Sequence, residues 1–138
     1  METIYTAEAT VTGGRNGRAI TSDKALDLEL RSPVVMGGPQ GKYTNPEQLF
    51  ACGYAACFES ALAMHARMQK IKTGETQIHS FVHLNSDEKD GFSLTVELKV
   101  NVPGVSKEQA EELVKLAHQT CPYSKAVRNN IDVKITVV

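Results

Sequence analysis

The sequence predicts a single α+β domain over residues 1–138, in which antiparallel sheets pack against two main helices, one of them long and buried. Segments 26–31 and 92–100 alternate apolar and polar residues, as half-buried strands do. A segment with helical signals follows each of them, and the first is uncharged over residues 48–58. Strands and helices are therefore segregated along a chain long enough for one hydrophobic core.

The first third of the chain is predicted to form strands joined by a turn. Residues 4–11 alternate irregularly, whereas Leu26, Leu28 and Leu30 share one face of a regular strand. The glycine-rich segment GGRNGR provides the turn. Segment 32–44, with two prolines and three glycines, predicts a long loop. Loops of that length in compact domains are often functional, and whether this one closes over a ligand is left open.

The first helix has a well-marked start. Asn45 can cap it, Pro46 suits the first helical position, and Glu47 favours the positive end of the helix dipole. No charge follows between residues 48 and 58, so we expect this helix to be buried on most sides. Charged side chains return after that, and the helix is expected to end before Gly74.

The second half repeats the order of strands followed by a helix. Segments 77–84 and 92–100 alternate regularly and predict two strands. Ser106 and Gln109 form the pattern of a capping box at the start of the second helix. That helix is expected to end near Cys121, because a proline follows. The last eight residues predict a final strand.

Composition narrows the classes of partner and location. The chain has 15 basic and 16 acidic side chains, a net charge of -1, and no long run of either sign. This balance argues against nucleic acid or an anionic membrane as a partner. The first residues contain no continuous apolar segment, so we expect neither a secretory signal nor a membrane span, and a cytoplasmic location. Three cysteines, an odd number, are better interpreted as reduced thiols than as a disulfide framework.

Two of the cysteines have surroundings that suit reactive thiols. Cys57 lies in the uncharged helix, where a cysteine is more often a small hydrophobe, and Cys121 lies at a helix end. A buried thiol is only slightly ionised at neutral pH, so it reacts poorly unless a cation compensates. Arg15 in the glycine-rich turn is the candidate cation, and Glu47 could orient it as a bidentate partner. Taken singly, a solvated turn arginine and a helix-dipole carboxylate are the commoner roles.

Three separated motifs then point to a family. TGGRNGR, TNPEQLFACGYAACF and CPYS, in this order and spacing, closely resemble the organic hydroperoxide resistance (Ohr) proteins of the Ohr/OsmC family. The resemblance extends from about Tyr5 to the C-terminal strand. It implies an OsmC-like fold, an intertwined homodimer with sites at the subunit interface, and a thiol peroxidase that reduces organic hydroperoxides to alcohols.

The resemblance also implies a role for each candidate residue. Cys57 would be the peroxidatic cysteine and Cys121 the resolving cysteine, which together form a disulfide, while Arg15 and Glu47 would activate Cys57. No bound cofactor or metal is implied. An external dithiol of dihydrolipoyl type, on a lipoyl-bearing protein, would recycle the enzyme. Cys52 departs from the family, which usually has a small residue such as alanine there; we interpret it as a core residue.

Helix geometry adds a hypothesis about the subunits. Ten residues of helix separate Glu47 from Cys57, which is about 15 Å and too far for one site on a straight helix. We therefore expect Arg15 and Glu47 of one subunit to serve Cys57 of the other. A bend at Gly53 that closed this distance within one chain would contradict the hypothesis.

Other functions remain open at this point. The uncharged helix would also suit a module that binds a hydrophobic molecule without turnover, and the cysteine pair would suit a redox sensor. A zinc site is disfavoured, because Cys52, Cys57, Cys121 and His118 lack the short ligand spacing of structural zinc. His118 lies one turn before Cys121, and we interpret it as a polar residue of the helix surface rather than a proton-transfer group.

Overall fold

A computed structural model describes all residues, 1–138, and the predicted α+β class is confirmed by two three-stranded sheets and three helices. The chain forms two compact units, residues 1–49 and residues 50–138. Each unit has its own three-stranded sheet.

The first unit contains an antiparallel sheet of three short strands in the order β1-β2-β3: β1 (Ala9–Thr12), β2 (Arg18–Thr21) and β3 (Asp27–Glu29). A 3-10 turn at Gly14–Asn16 connects β1 to β2. The predicted apolar face is present only in part. Leu30 is buried directly after β3, whereas Leu26 is 47% exposed at the start of the segment. The first unit therefore buries few large side chains.

The predicted loop at 32–44 is irregular apart from a short 3-10 turn at Val34–Met36. Its end is fixed by the backbone of Thr44, which hydrogen-bonds to Glu29 and to Arg31, each at 3.1 Å. The first helix begins two residues later, so the loop holds its start against the end of β3.

Helix α1 spans Pro46–Met68, and its predicted start is confirmed. The Asn45 side chain accepts a hydrogen bond from the Gln48 backbone N–H at 2.9 Å, which satisfies one of the unpaired donors at the helix end. The helix ends before Gly74, as predicted. It is uninterrupted through Gly53.

Burial of α1 differs from the prediction. One face is buried, with Tyr54, Phe58, Ala61, Leu62 and Ala66. A row spaced by four residues is exposed: Cys52, Ala56, Ser60 and Met64. The placement of Cys52 in the core was wrong, because the helical period puts it on this second row. Within this chain α1 is thus buried on one of its faces rather than on most sides.

By length and composition alone α1 could cross a membrane, since an 18-residue window has a mean hydropathy of 1.2. One such helix is weak evidence, because the core helix of a soluble protein meets the same criterion. The absence of a membrane span stays a prediction.

The second unit contains the larger sheet, in the order β4-β5-β6: β4 (Gln77–Asp87), β5 (Gly91–Asn101) and β6 (Val133–Val137). Strands β4 and β5 form an antiparallel hairpin, as predicted. Strand β6 instead pairs parallel to β5, which corrects the expectation of purely antiparallel sheets. Helical chain lies between β5 and β6, and a parallel pair requires a crossover of that kind.

Helix α2 (Lys107–Thr120) follows β5 and has the predicted capping box. The Gln109 backbone N–H donates to Oγ of Ser106 at 3.1 Å, and the Ser106 backbone N–H donates to Oε1 of Gln109 at 3.2 Å. Its predicted apolar stripe is buried, with Ala110, Leu113, Val114 and Ala117. The stripe belongs to the same core as Val96, Leu98 and Val100 of β5.

A third helix, α3 (Pro122–Val127), was not predicted. Pro122 was interpreted only as the end of α2, yet it also occupies the first turn of α3, where its missing N–H costs nothing. Cys121 is consequently both the C-cap residue of α2 and the N-cap residue of α3. This junction holds its side chain fully buried.

Candidate active site

Arg15 and Glu47 form an ion pair within the first unit. Nη1 of Arg15 donates to Oε2 of Glu47 at 2.8 Å, and Nη2 donates to Oε1 at 2.5 Å. The pairing is therefore bidentate, as the sequence suggested, and it fixes the plane of the guanidinium. The two side chains are 33% and 14% exposed, so the pair is only partly open to water.

The glycine-rich turn explains how Arg15 is held. Gly13 has φ +77° and Gly14 has φ +54°, a left-handed conformation that L side chains rarely adopt. A side chain at Gly17 would place its Cβ 1.6 Å from the carbonyl oxygen of Thr12. Only glycines allow the chain to reverse so tightly, and the reversal puts Arg15 at the tip of the turn.

The pair fixes the charge of both partners. The hydrogen bonds from Arg15 lower the pKa of Glu47, and those to Glu47 raise the pKa of Arg15. Both groups are therefore charged at neutral pH. Arg15 keeps unused N–H donors beyond the two that bind Glu47, which is what an additional anion would require.

Cys57 and Cys121 meet within the second unit, although 64 residues separate them in the chain. The Cys121 side chain lies within hydrogen-bonding reach of the Cys57 thiol. Both cysteines are free thiols. Cys57 on α1 is half-buried, whereas Cys121 is fully buried. Of these two cysteines, only Cys57 is therefore open to a reagent from solvent.

The surroundings of Cys57 within its unit favour the neutral thiol. Burial raises the pKa of Cys57, and the neighbouring Cys121 raises it further. One group acts in the opposite direction: the backbone N–H of Tyr123, in the first turn of α3, hydrogen-bonds to the Cys57 sulfur. A neutral N–H stabilises a thiolate far less than a full positive charge does. No cationic side chain is among the groups that act on the pKa of Cys57 in this chain.

Aromatic rings and the two cysteines belong to the same core cluster. Tyr54 stacks on Tyr123 with ring centroids 5.8 Å apart, and Phe50 meets Tyr123 edge to face at 6.0 Å. Gly53 makes room for this cluster, because a Cβ there would lie 2.6 Å from the Tyr123 hydroxyl oxygen. Gly53 therefore allows α1 to pack closely against Tyr123. The helix is continuous through Gly53, so no break at this position shortens the path from Glu47 to Cys57.

Two features near the cysteines were not anticipated. One is the Tyr123 N–H; the other is a hydrogen-bonded chain in which Ser124 joins Tyr54 to His118. The motif CPYS contains Tyr123 and Ser124, but only the tertiary structure gives their partners. His118 was interpreted as a surface residue, yet its ring contacts a buried serine. No group of three or more His, Cys, Asp or Glu side chains is placed to hold a metal ion.

Comparison with known proteins gives one consistent family. A model of OsmC-like proteins matches residues 39–136. An organic hydroperoxide resistance protein of Xanthomonas axonopodis pv. citri is 53% identical over 135 residues, which cover 97% of this chain and 94% of that protein.

Solved structures give the same result. A crystal structure of an organic hydroperoxide resistance protein from Elizabethkingia anophelis matches with a TM-score of 0.93 and 51% identity, covering 99% of this chain and 98% of that one. OhrB of Bacillus subtilis matches with a TM-score of 0.90 and 44% identity, covering 99% and 100%. The chain therefore belongs to the OsmC-like family, within its organic hydroperoxide resistance branch.

Proposed function

We propose that this protein is a cysteine-based peroxidase that reduces organic hydroperoxides to alcohols and so protects against peroxide stress. The observation that carries the proposal is the contact between the Cys57 and Cys121 thiols, two cysteines distant in sequence and both reduced. The names of the relatives, which refer to organic hydroperoxide resistance, support the substrate class.

The first step takes place at Cys57. Its thiolate attacks the terminal oxygen of the hydroperoxide, the O–O bond breaks, and the sulfur becomes a sulfenic acid. The alkoxide leaves and becomes an alcohol when it takes up a proton. Half-burial of Cys57 supports this role, because the sulfur is reachable from solvent while its surroundings are largely apolar.

The second step uses Cys121 as the resolving cysteine. Its sulfur attacks the sulfenic sulfur, a disulfide forms, and water leaves. A dithiol then reopens the disulfide by exchange. Because Cys121 is fully buried, the incoming thiolate attacks Cys57 and releases Cys121. We propose a dithiol of dihydrolipoyl type, carried by a lipoyl-bearing protein, since a slender flexible dithiol can reach a half-buried sulfur. No bound cofactor takes part.

Activation of Cys57 requires a cation that its own unit does not supply. We propose that the protein is a homodimer in which Arg15 and Glu47 of one subunit serve Cys57 of the other. Each pKa unit by which Arg15 lowers the pKa of Cys57 corresponds to about 1.4 kcal/mol in favour of the thiolate. The same guanidinium would stabilise charge on the leaving alkoxide. The uninterrupted α1 supports this arrangement, because ten residues of helix extend about 15 Å.

The exposed row of α1 also supports a dimer. Cys52, Ala56, Ser60 and Met64 carry no charge, although they face outward from the core. A second copy of the chain packed on this row would give α1 the burial on most sides that its composition predicts.

The aromatic cluster supports a preference among peroxides. Phe50 and Tyr123 present apolar ring surface, and the fully buried Tyr54 packs against both rings. An organic hydroperoxide buries its alkyl or aryl group against such a surface, and hydrogen peroxide has no group to bury. We therefore propose that organic hydroperoxides react faster than hydrogen peroxide.

Peroxide consumption with dihydrolipoamide as reductant tests the proposed function. Wild type should consume many equivalents of cumene hydroperoxide, Cys57→Ser should consume none, and Cys52→Ser is the matched control that should behave as wild type. Loss of a single equivalent of peroxide, or equal activity in wild type and Cys57→Ser, would contradict the proposal. The second result would instead favour a module that binds hydrophobic molecules.

A further inference from the structure

Three hydrogen-bonded side chains form a chain through the core of the second unit. The Tyr54 hydroxyl lies 2.8 Å from Oγ of Ser124, and Nδ1 of His118 lies 2.9 Å from the same oxygen. Tyr54 and Ser124 are fully buried. Buried hydroxyl groups usually have partners, but a chain that ends on an imidazole can also move a proton.

The inner end of this chain lies beside the cysteine pair. Tyr54 precedes Cys57 by three residues on α1, and residues three apart on a helix are neighbours. His118 and Ser124 stand three residues before and three residues after Cys121. Burial raises the pKa of Tyr54, and both cysteines also act electrostatically on its hydroxyl. The Tyr54 hydroxyl is therefore close enough to both thiols for their charges to act on it.

The outer end of the chain reaches solvent. His118 is half-buried and lines an open cleft of about 430 Å³ between α2 and β6. The charged groups that line this cleft are Lys107, Glu111 and Lys115, all from α2, and β6 contributes uncharged side chains. Arg128, after α3, donates to the His118 carbonyl oxygen at 2.6 Å. A proton held by His118 can therefore leave through the cleft.

A neutral His118 allows the hydrogen bonds to point from Tyr54 toward the imidazole, in the tautomer whose proton is on Nε2. Burial, and then the charge of Arg128, lower the pKa of His118, so its imidazole is neutral at neutral pH. With Nδ1 unprotonated, it accepts from Ser124, which in turn accepts from Tyr54. Every member then has a partner, and His118 is free to take up a proton.

We propose that Tyr54, Ser124 and His118 form a proton relay that removes the proton of Cys121 when this thiol forms the disulfide with Cys57. This inference rests on the peroxidase activity proposed above and gives three core side chains a role in its second step. Cys121 is 0% exposed, so its proton has no direct path to water. The relay supplies one.

The Cys121 sulfur attacks the sulfenic sulfur of Cys57, the S–S bond forms, the S–O bond breaks, and the departing hydroxide takes a proton from solvent. The Cys121 proton passes to the Tyr54 oxygen while the phenol proton moves to Ser124 and the serine proton moves to Nδ1 of His118. The imidazolium then releases a proton into the cleft, and no net proton is gained or lost.

Rapid-quench experiments with His118→Asn test the relay. Asparagine keeps a polar atom near the position of Nδ1 but cannot titrate. After mixing with cumene hydroperoxide, dimedone trapping measures the sulfenic acid and thiol counting measures the disulfide, from about pH 5 to about pH 9. We expect unchanged sulfenic acid formation and roughly 100-fold slower disulfide formation at neutral pH. The difference should shrink below pH 6.5, the ordinary pKa of histidine, because a protonated His118 accepts nothing.

Ser124→Ala interrupts the chain at its centre and should slow disulfide formation in the same way, with near-ultraviolet circular dichroism as the check on folding. Wild-type rates in His118→Asn, or a slowing by the same factor at every pH, would overturn the relay. If wild type forms no sulfenic acid, the peroxidase proposal fails instead. Oxidation by diamide then still tests the relay, because Cys121 must lose its proton there too, and equal rates in wild type and His118→Asn would overturn it.

Discussion

The Arg15–Glu47 pair of the first unit and the region around Cys57 differ in the charge state that their surroundings favour. Arg15 and Glu47 form a bidentate ion pair that is partly open to water, and each partner stabilises the charge of the other. Cys57 and Cys121 instead lie among aromatic rings, where burial favours the neutral thiol. The ion pair therefore keeps its groups charged, whereas the surroundings of Cys57 keep its thiol neutral. The proposed peroxidase requires Arg15 of one subunit to act on Cys57 of the other.

The largest expected effect concerns Cys121. In Cys121→Ser the sulfenic acid on Cys57 has no resolving thiol within the protein and must wait for the external dithiol, so repeated turnover with dihydrolipoamide should fall far below that of wild type. The first equivalent of cumene hydroperoxide should still be consumed at nearly the wild-type rate. Turnover at the wild-type rate in this variant would show that the contact between the two cysteines is not part of the cycle.

A second test removes the cation. Arg15→Ala should lower the rate of sulfenic acid formation by about 100-fold, the cost of one lost electrostatic contact to developing charge. The pKa of Cys57, followed by thiolate absorbance at 240 nm, should rise in the same variant, because burial then acts without compensation. Arg15→Lys keeps the charge and loses the bidentate geometry, so its rate of sulfenic acid formation should lie between those of wild type and Arg15→Ala. An unchanged pKa of Cys57 in Arg15→Ala would show that Arg15 does not stabilise the Cys57 thiolate.

The pH range of the ion pair gives a third test. Because Arg15 lowers the pKa of Glu47, the carboxylate remains charged at neutral pH, and the pair should be lost only as pH falls below 4.5, the ordinary value. In Glu47→Gln the guanidinium loses its orienting partner, so peroxide reduction should be slower at neutral pH and should lack the acid transition assigned to Glu47. An acid transition that persists in Glu47→Gln would assign it to another group.

The smallest expected effect concerns packing at Gly53. In Gly53→Ala the added Cβ would meet the Tyr123 hydroxyl, a clash that costs about 1 kcal/mol of unfolding free energy. Adding Tyr123→Phe removes the nearest atom and should recover part of the loss in thermal denaturation. A fully stable Gly53→Ala would mean that the aromatic cluster repacks freely around Cys57.

Local chemistry made much of the fold predictable. Asn45 and Ser106 mark helix starts through hydrogen bonds to residues three positions away, so their signal is contained in the sequence. The buried stripe of α2 follows from helical periodicity alone. The pairing of Arg15 with Glu47 was suggested by residue type, although 32 positions separate them.

Features that depend on distant contacts were missed. The parallel pairing of β6 requires knowledge of where α2 and α3 return the chain. The exposure of Cys52 could not be distinguished from burial, because α1 is uncharged on both of its faces over residues 48–58. The two hydrogen-bond partners of Ser124, Tyr54 and His118, lie on two different helices, and no periodicity in the sequence indicates such contacts.

The central claim is that Arg15 of one subunit activates Cys57 of the other, and mixing two inactive variants tests it most directly. Arg15→Ala and Cys57→Ser are each inactive or nearly so, but a heterodimer of the two has one site with both Arg15 and Cys57 intact if the residues act across the interface. Unfolding and refolding the mixture should then restore about a quarter of wild-type peroxidase activity, since half of randomly assorted dimers carry one such site of two. No gain of activity over the separate variants would contradict the claim.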